Sequence, residues 1–87
     1  MNADIEKIDT AVKLILGELS RATEANDTFH SAHEGYAVIL EELDELKAEV
    51  WKRRVDRDRN KMLQEAVQVG AMAMRFIVDV CLEGTHT

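Results

Sequence analysis

Residues Glu41 to Glu49 read EELDELKAE. Positions three and four apart are neighbours on an α-helix, so Glu42, Glu45 and Glu49 share one face. Leu40, Leu43 and Leu46 recur on a different side and can anchor that carboxylate row to a core. Like charges at this spacing destabilise a bare helix by a few tenths of a kcal/mol per pair, so solvent, bases or a cation must offset them. A solvated helix face is the plain alternative for the same residues.

The 87 residues around this stretch suit one small domain, 1–87. At that size folding alone buries only roughly 60% of the unfolded surface, so a lone chain is marginal. The composition is 46% hydrophobic and 32% charged, with no proline and 5% aromatics. It fits an all-α protein rather than a sheet or a disordered tail. A net charge of -6 argues against non-specific nucleic-acid binding, which requires Lys and Arg to neutralise phosphates. The single cysteine, Cys81, cannot form an intrachain disulfide, and MNADIEKIDT lacks the basic-then-apolar pattern of a secretory signal. The most apolar run, 67–82, has 16 residues interrupted by Gln68, Arg75 and Asp79, too few and too polar to span a membrane. A cytoplasmic location and no membrane partner are therefore expected.

Upstream, Ile5, Ile8, Val12, Ile15, Leu16 and Leu19 follow helical spacing and predict a first helix over about Asp4–Thr23, with Asn2 or Asp4 as cap. Gly17 marks either a close helix contact or simple tolerance. The polar break 26–28 offers Asp27 or Thr28 as the cap of a second helix that runs to about Lys52. Its expected core side is Phe29, Tyr36, Leu40, Leu43 and Val50, ending at Trp51. On its acidic side, Ser31 and Gly35 either leave room for a ligand or mark close helix packing. His30 and His33 have the spacing of a softer metal site but read as ordinary helix residues.

Residues 52–61, KRRVDRDRNK, carry six basic and two acidic side chains, or +4 against -10 for the remainder. Lys52, Arg53 and Arg54 complement the negative end of the second helix, and Asp56 or Asp58 can cap a third. The same decad also reads as an elbow that holds phosphate groups.

The third helix is expected over about Asp58–Glu83, with Gly84 as its stop. Its residues 67–82 are apolar on all sides, which two other helices of this chain cannot enclose, so self-association is expected. Lys61, Glu65, Gln68, Arg75 and Asp79 form one polar stripe that must be paired, hydrated or given a metal. An internal pair of Arg75 with Asp79 would satisfy part of it. Gly70, Ala71 and Ala73 are small enough to admit another helix closely.

Two helices with oxygen ligands three apart, Glu42 with Glu45 and Glu65 with Gln68, can meet across an antiparallel hairpin and surround a hard cation. Without thiolate or imidazole, Mg²⁺ or Mn²⁺ is the expected ion.

Here the residues resemble a known family. Glu41, Glu42 and Glu45 are similar to the EExxE motif of the MazG-like all-α nucleoside triphosphate pyrophosphohydrolases, and Glu65 to Gln68 falls where that family has ExxD. The resemblance covers about 28–80 and is closest to the short, phage-type branch. It implies a three-helix chain that completes a helical bundle as a homodimer or homotetramer. It also implies Mg²⁺-dependent cleavage of a nucleoside triphosphate to a nucleoside monophosphate and pyrophosphate. Carried over, Glu42, Glu45, Glu65 and Gln68 would hold the metal, and Glu41 would be a candidate base for the attacking water. Lys52, Lys61 and Arg75 would hold phosphates. The departure is Gln68, whose amide oxygen can ligate Mg²⁺ without contributing charge. Asp79 lies 11 residues after it, about 16 Å along the helix, and cannot substitute from the same chain. A degenerate, non-catalytic helical oligomer, acting as a binding or accessory module, is the competing expectation.

Overall fold

The computed structural model describes residues 2–82, with side chains from Asp4 onward. The chain forms α1 (Asn2–Ala25), α2 (Ala32–Val50), a 3-10 turn (Arg54–Asp56) and α3 (Arg59–Phe76), which continues as a π-helical segment (Ile77–Leu82). No strand occurs among the described residues, and none of their helices is long and apolar enough to cross a membrane. The predicted stop at Gly84 and the tail 85–87 lie outside the described residues.

α3 is the hub. It packs along α2 and α1, while α1 and α2 make almost no contact with each other. At Gly70 an added Cβ would lie 2.9 Å from Ile15 Cδ1, so the missing side chain is what lets α1 lie across α3. The core is small: Ala22 from α1, Phe29 from the connection, and Ala71, Met72 and Val80 from α3, with Ile15, Leu19, Val38, Ile39 and Phe76 packed around them.

Two caps bracket the α2–α3 hairpin. Asp58 caps α3 as expected, its Oδ1 accepting from the backbone N–H of Asn60 at 2.8 Å and of Lys61 at 3.3 Å. α2 starts later than predicted. Its N-cap is Ser31, whose Oγ accepts from Glu34 N–H, while Glu34 Oε1 accepts from His30 N–H at 2.8 Å. This is the reciprocal logic of a capping box. The expected caps Asp27 and Thr28 lie in the connection instead, and His30 pairs with Glu34 as an ordinary helix-start residue. At the other end, Arg57 rather than the expected Lys52–Arg54 run reaches the last carbonyls, donating from Nε to Val50 O at 2.8 Å and Lys52 O at 3.2 Å.

The connection between α1 and α2 is pinned by Arg75. Its guanidinium lies 4.3 Å from the Phe29 ring centroid, donates to the Asp27 carbonyl, and pairs through Nε with Asp79 Oδ2 at 3.7 Å. Asp79 Oδ2 also accepts the Phe29 N–H at 3.0 Å. Arg75 and Asp79 are both buried, so the internal pair foreseen for the α3 stripe forms. Buried charges persist only when paired and hydrogen-bonded in this way.

The face of α2 turned inward differs from the expectation. Gly35, Val38, Ile39, Glu42 and Leu46 face α3 or the core at least in part, whereas Tyr36, Leu40, Leu43 and Trp51 are exposed. The carboxylate side, not the leucine side, is packed within the chain. Gly35 leaves no room for a ligand: a Cβ there would meet Phe76 Cδ2 at 2.6 Å and Phe29 Cδ2 at 3.0 Å. At Gly17 nothing lies within 4 Å, so it marks no close contact.

The two glycines should therefore respond oppositely to alanine. Gly35→Ala gains up to about 1 kcal/mol of helix propensity but overpacks two rings at about 1–3 kcal/mol, so it should lower the melting temperature. Gly17→Ala should raise stability by up to about 1 kcal/mol. Thermal melts of both variants check the pair.

Candidate metal centre

Glu42 and Glu45 project from the middle of α2, and Glu65 from the second turn of α3. Each offers a carboxylate oxygen, and the three oxygens lie within 4.8 Å of one another. Glu42 and Glu65 are partly buried and Glu45 is exposed, so the group opens to solvent on one side. Glu65 Oε2 is sealed from solvent and has no hydrogen-bond partner. An oxygen in that condition lacks a compensating donor and costs free energy until it is protonated or meets a cation.

The electrostatics agree. The Glu42 carboxyl is pushed up to about 7, first by burial and then by the neighbouring charges of Glu45, Glu65 and Glu41. Glu65 is also raised, by burial and then by Glu45 and Glu49. The Glu42 carboxyl, partly neutral near pH 7, holds a proton that a divalent cation would displace. The donor set is all oxygen, with no thiolate or imidazole, and so suits Mg²⁺ or Mn²⁺ rather than a softer ion. The residues present therefore fit the expected group.

Two clefts flank the carboxylates. One, of about 470 Å³, is lined by Glu42, Glu45 and Glu65 together with Leu14, Leu63 and Val67. The other, of about 340 Å³, has Phe29, Val38 and Met72 among its apolar walls and Arg21, Asn26 and Glu41 among its polar ones. Glu18, Glu42 and Gln68 line both. Gln68 thus stands at the junction of the two clefts, three residues after Glu65.

The other expected site residues are distributed unevenly. Glu41 is exposed and lines the smaller cleft beside Glu42. Arg75 lines the same cleft, but its guanidinium is already engaged with Asp79, Asp27 and Phe29. Lys52 pairs with Glu49 at 2.8 Å, and neither it nor the exposed Lys61 lines either cleft. Two residues at the site went unforeseen, Glu18 and Arg21 of α1. Arg21 donates to both oxygens of Glu18, Nε at 3.0 Å and Nη2 at 2.5 Å. Comparison of the chain with family models, curated proteins and solved structures finds no match.

The raised carboxyl of Glu42 sets a pH dependence. Its folded value of about 7 lies above the ordinary 4.5, so its contribution to stability is fully present below pH 4.5 and is lost as pH rises through 7. Discounted for its remaining solvent contact, the loss is on the order of 1–2 kcal/mol. In metal-free buffer, Glu42→Gln should be more stable than the parent at pH 8 and about equal to it at pH 4.5. Melting curves at the two pH values check the sign.

Proposed function

We propose that this chain is a MazG-like nucleoside triphosphate pyrophosphohydrolase that uses Mg²⁺, or Mn²⁺, and works as a homodimer or homotetramer. The observation that carries the proposal is the convergence of Glu42, Glu45 and Glu65 from two helices, with Glu65 Oε2 buried and unpartnered. These are the glutamates that the resemblance marks as metal ligands. A bound divalent cation would supply charge neutralisation at the phosphates and polarise the attacking water. The chain's own residues would do the remainder. Glu42, Glu45 and Glu65 would hold the ion, with the Gln68 amide as a neutral fourth ligand. Glu41, exposed in the adjoining cleft, is placed to accept a proton from water. The smaller cleft joins apolar walls to polar ones, which suits a nucleoside beside the phosphates. The acidic surroundings repel a bare triphosphate, so the cation is indispensable to substrate approach.

The surface of the single chain supports self-association. Its area of 6499 Å² exceeds by about 1,300 Å² the roughly 5,200 Å² of a compact monomer of this mass. A standard interface removes about 800 Å² per partner. The radius of gyration, 14.5 Å, likewise exceeds the roughly 12 Å of a compact domain of this length. The surplus is partly apolar: Tyr36, Leu40, Leu43 and Trp51 on and after α2, and Ile77, Val78 and Leu82 on the π-helical segment, are exposed. The proposed setting is the cytoplasm, with no nucleic-acid or membrane partner.

A second reading, a degenerate helical oligomer without turnover, is favoured by one observation: Gln68 supplies no charge where the resemblance expects aspartate. A pyrophosphate-release assay over the common nucleoside triphosphates with Mg²⁺ separates the two. Turnover is expected, and Glu45→Ala should lower it by about 100-fold or more, since even residues behind metal ligands cost about 10–100-fold. No turnover by the parent with any nucleotide at high metal, together with activity created by Gln68→Asp, would establish the degenerate reading. Light scattering should give a mass at least twice 9.9 kDa.

A further inference from the structure

No site residue was expected on α1, yet one acid sits on its inward face. Ile15, Leu19 and Ala22 face the core, and Glu18 falls among them at helical spacing, with a side chain only 14% exposed. Both its oxygens are held by the single guanidinium of Arg21, which fixes the carboxylate in place and keeps it ionised. Glu18 shares both clefts with Gln68 and Glu42.

A carboxamide is two-faced: its NH₂ donates, its oxygen accepts, and its neighbours choose the orientation. An ionised carboxylate only accepts. We infer that Glu18, fixed by Arg21, is a positioning residue that holds the NH₂ group of Gln68 and so turns the amide oxygen toward the Glu42–Glu45–Glu65 cluster. Gln68 lies close enough to help lower the Glu18 carboxyl, after the larger effect of Arg21. The assignment rests on the metal reading above and deepens it. The site draws on three helices rather than two, and a glutamine serves where an aspartate would meet Glu18 as a second negative charge.

The test uses the full chain, Mn²⁺ alone as probe, and the side-chain amide resonances of ¹⁵N-labelled protein, in which Asn60, exposed and lining neither cleft, serves as the internal control for Gln68. Glu18→Ala is expected to weaken Mn²⁺ binding about tenfold and to shift the Gln68 NH₂ signals while leaving those of Asn60 in place. The exchange Glu18→Gln with Gln68→Glu, which reverses donor and acceptor, is expected to restore Mn²⁺ binding to at least the parental level. Glu18→Ala with parental Mn²⁺ affinity, or with weakened affinity but an unmoved Gln68 amide, would overturn the inference. A parent that binds no Mn²⁺ would overturn the metal reading instead, and the amide shift would then decide the Glu18–Gln68 contact by itself.

Discussion

Three carboxylates do not gather within 4.8 Å of one another unless something holds them there. Their mutual repulsion is opposed by the packing of α2 on α3, and that opposition underlies the other features of the molecule. It requires Gly35, whose missing side chain lets Phe29 and Phe76 lie against α2. It requires turns that commit both helices to one hairpin, which Asp58 and Arg57 secure at its closed end. It leaves its mark as raised carboxyls at Glu42 and Glu65, where burial first and neighbouring carboxylates second disfavour the charged form.

At the far end of the same hairpin, Arg75 and Asp79 solve a different problem with the same stripe of α3. They are spent on backbone: Arg75 on the Asp27 carbonyl and the Phe29 ring, Asp79 on the Phe29 N–H. One row of polar residues along a single helix is thus divided between Glu65, one of whose oxygens has no partner, and the engaged pair Arg75 and Asp79. Arg75 is consequently less available to an anion than its position suggests.

Much of this was legible in the residues. Helical periodicity placed three helices, the break at 26–28 and the elbow after Trp51, because local spacing determines such features. Asp58 was recognisable as a cap from its place before an apolar run, and Glu42, Glu45 and Glu65 from their spacing and the separation of the two motifs. The inward face of α2 was not recognisable, since both its leucine and its glutamate rows have helical period and only tertiary packing chooses between them. Ser31 lost to Asp27 and Thr28 as expected cap because the connection runs extended for several residues, which depends on the distant Arg75 and Asp79. Glu18 and Arg21 escaped notice for a similar reason. The available signal was an acid at position 18 among the inward residues 15, 19 and 22, and only the crossing of α1 over α3 shows what it meets.

Because α3 carries the packing of both other helices, α1 meets the α2–α3 hairpin along one seam. That seam runs through Ile15 on Gly70 and through the core around Ala22. α3 packs less extensively against α1 than against α2, so α1 has less to lose by lifting away. Such lifting would unroof both clefts from the Glu18 side while the three carboxylates on the α2–α3 hairpin kept their geometry, so a bulky solute would enter from the α1 side.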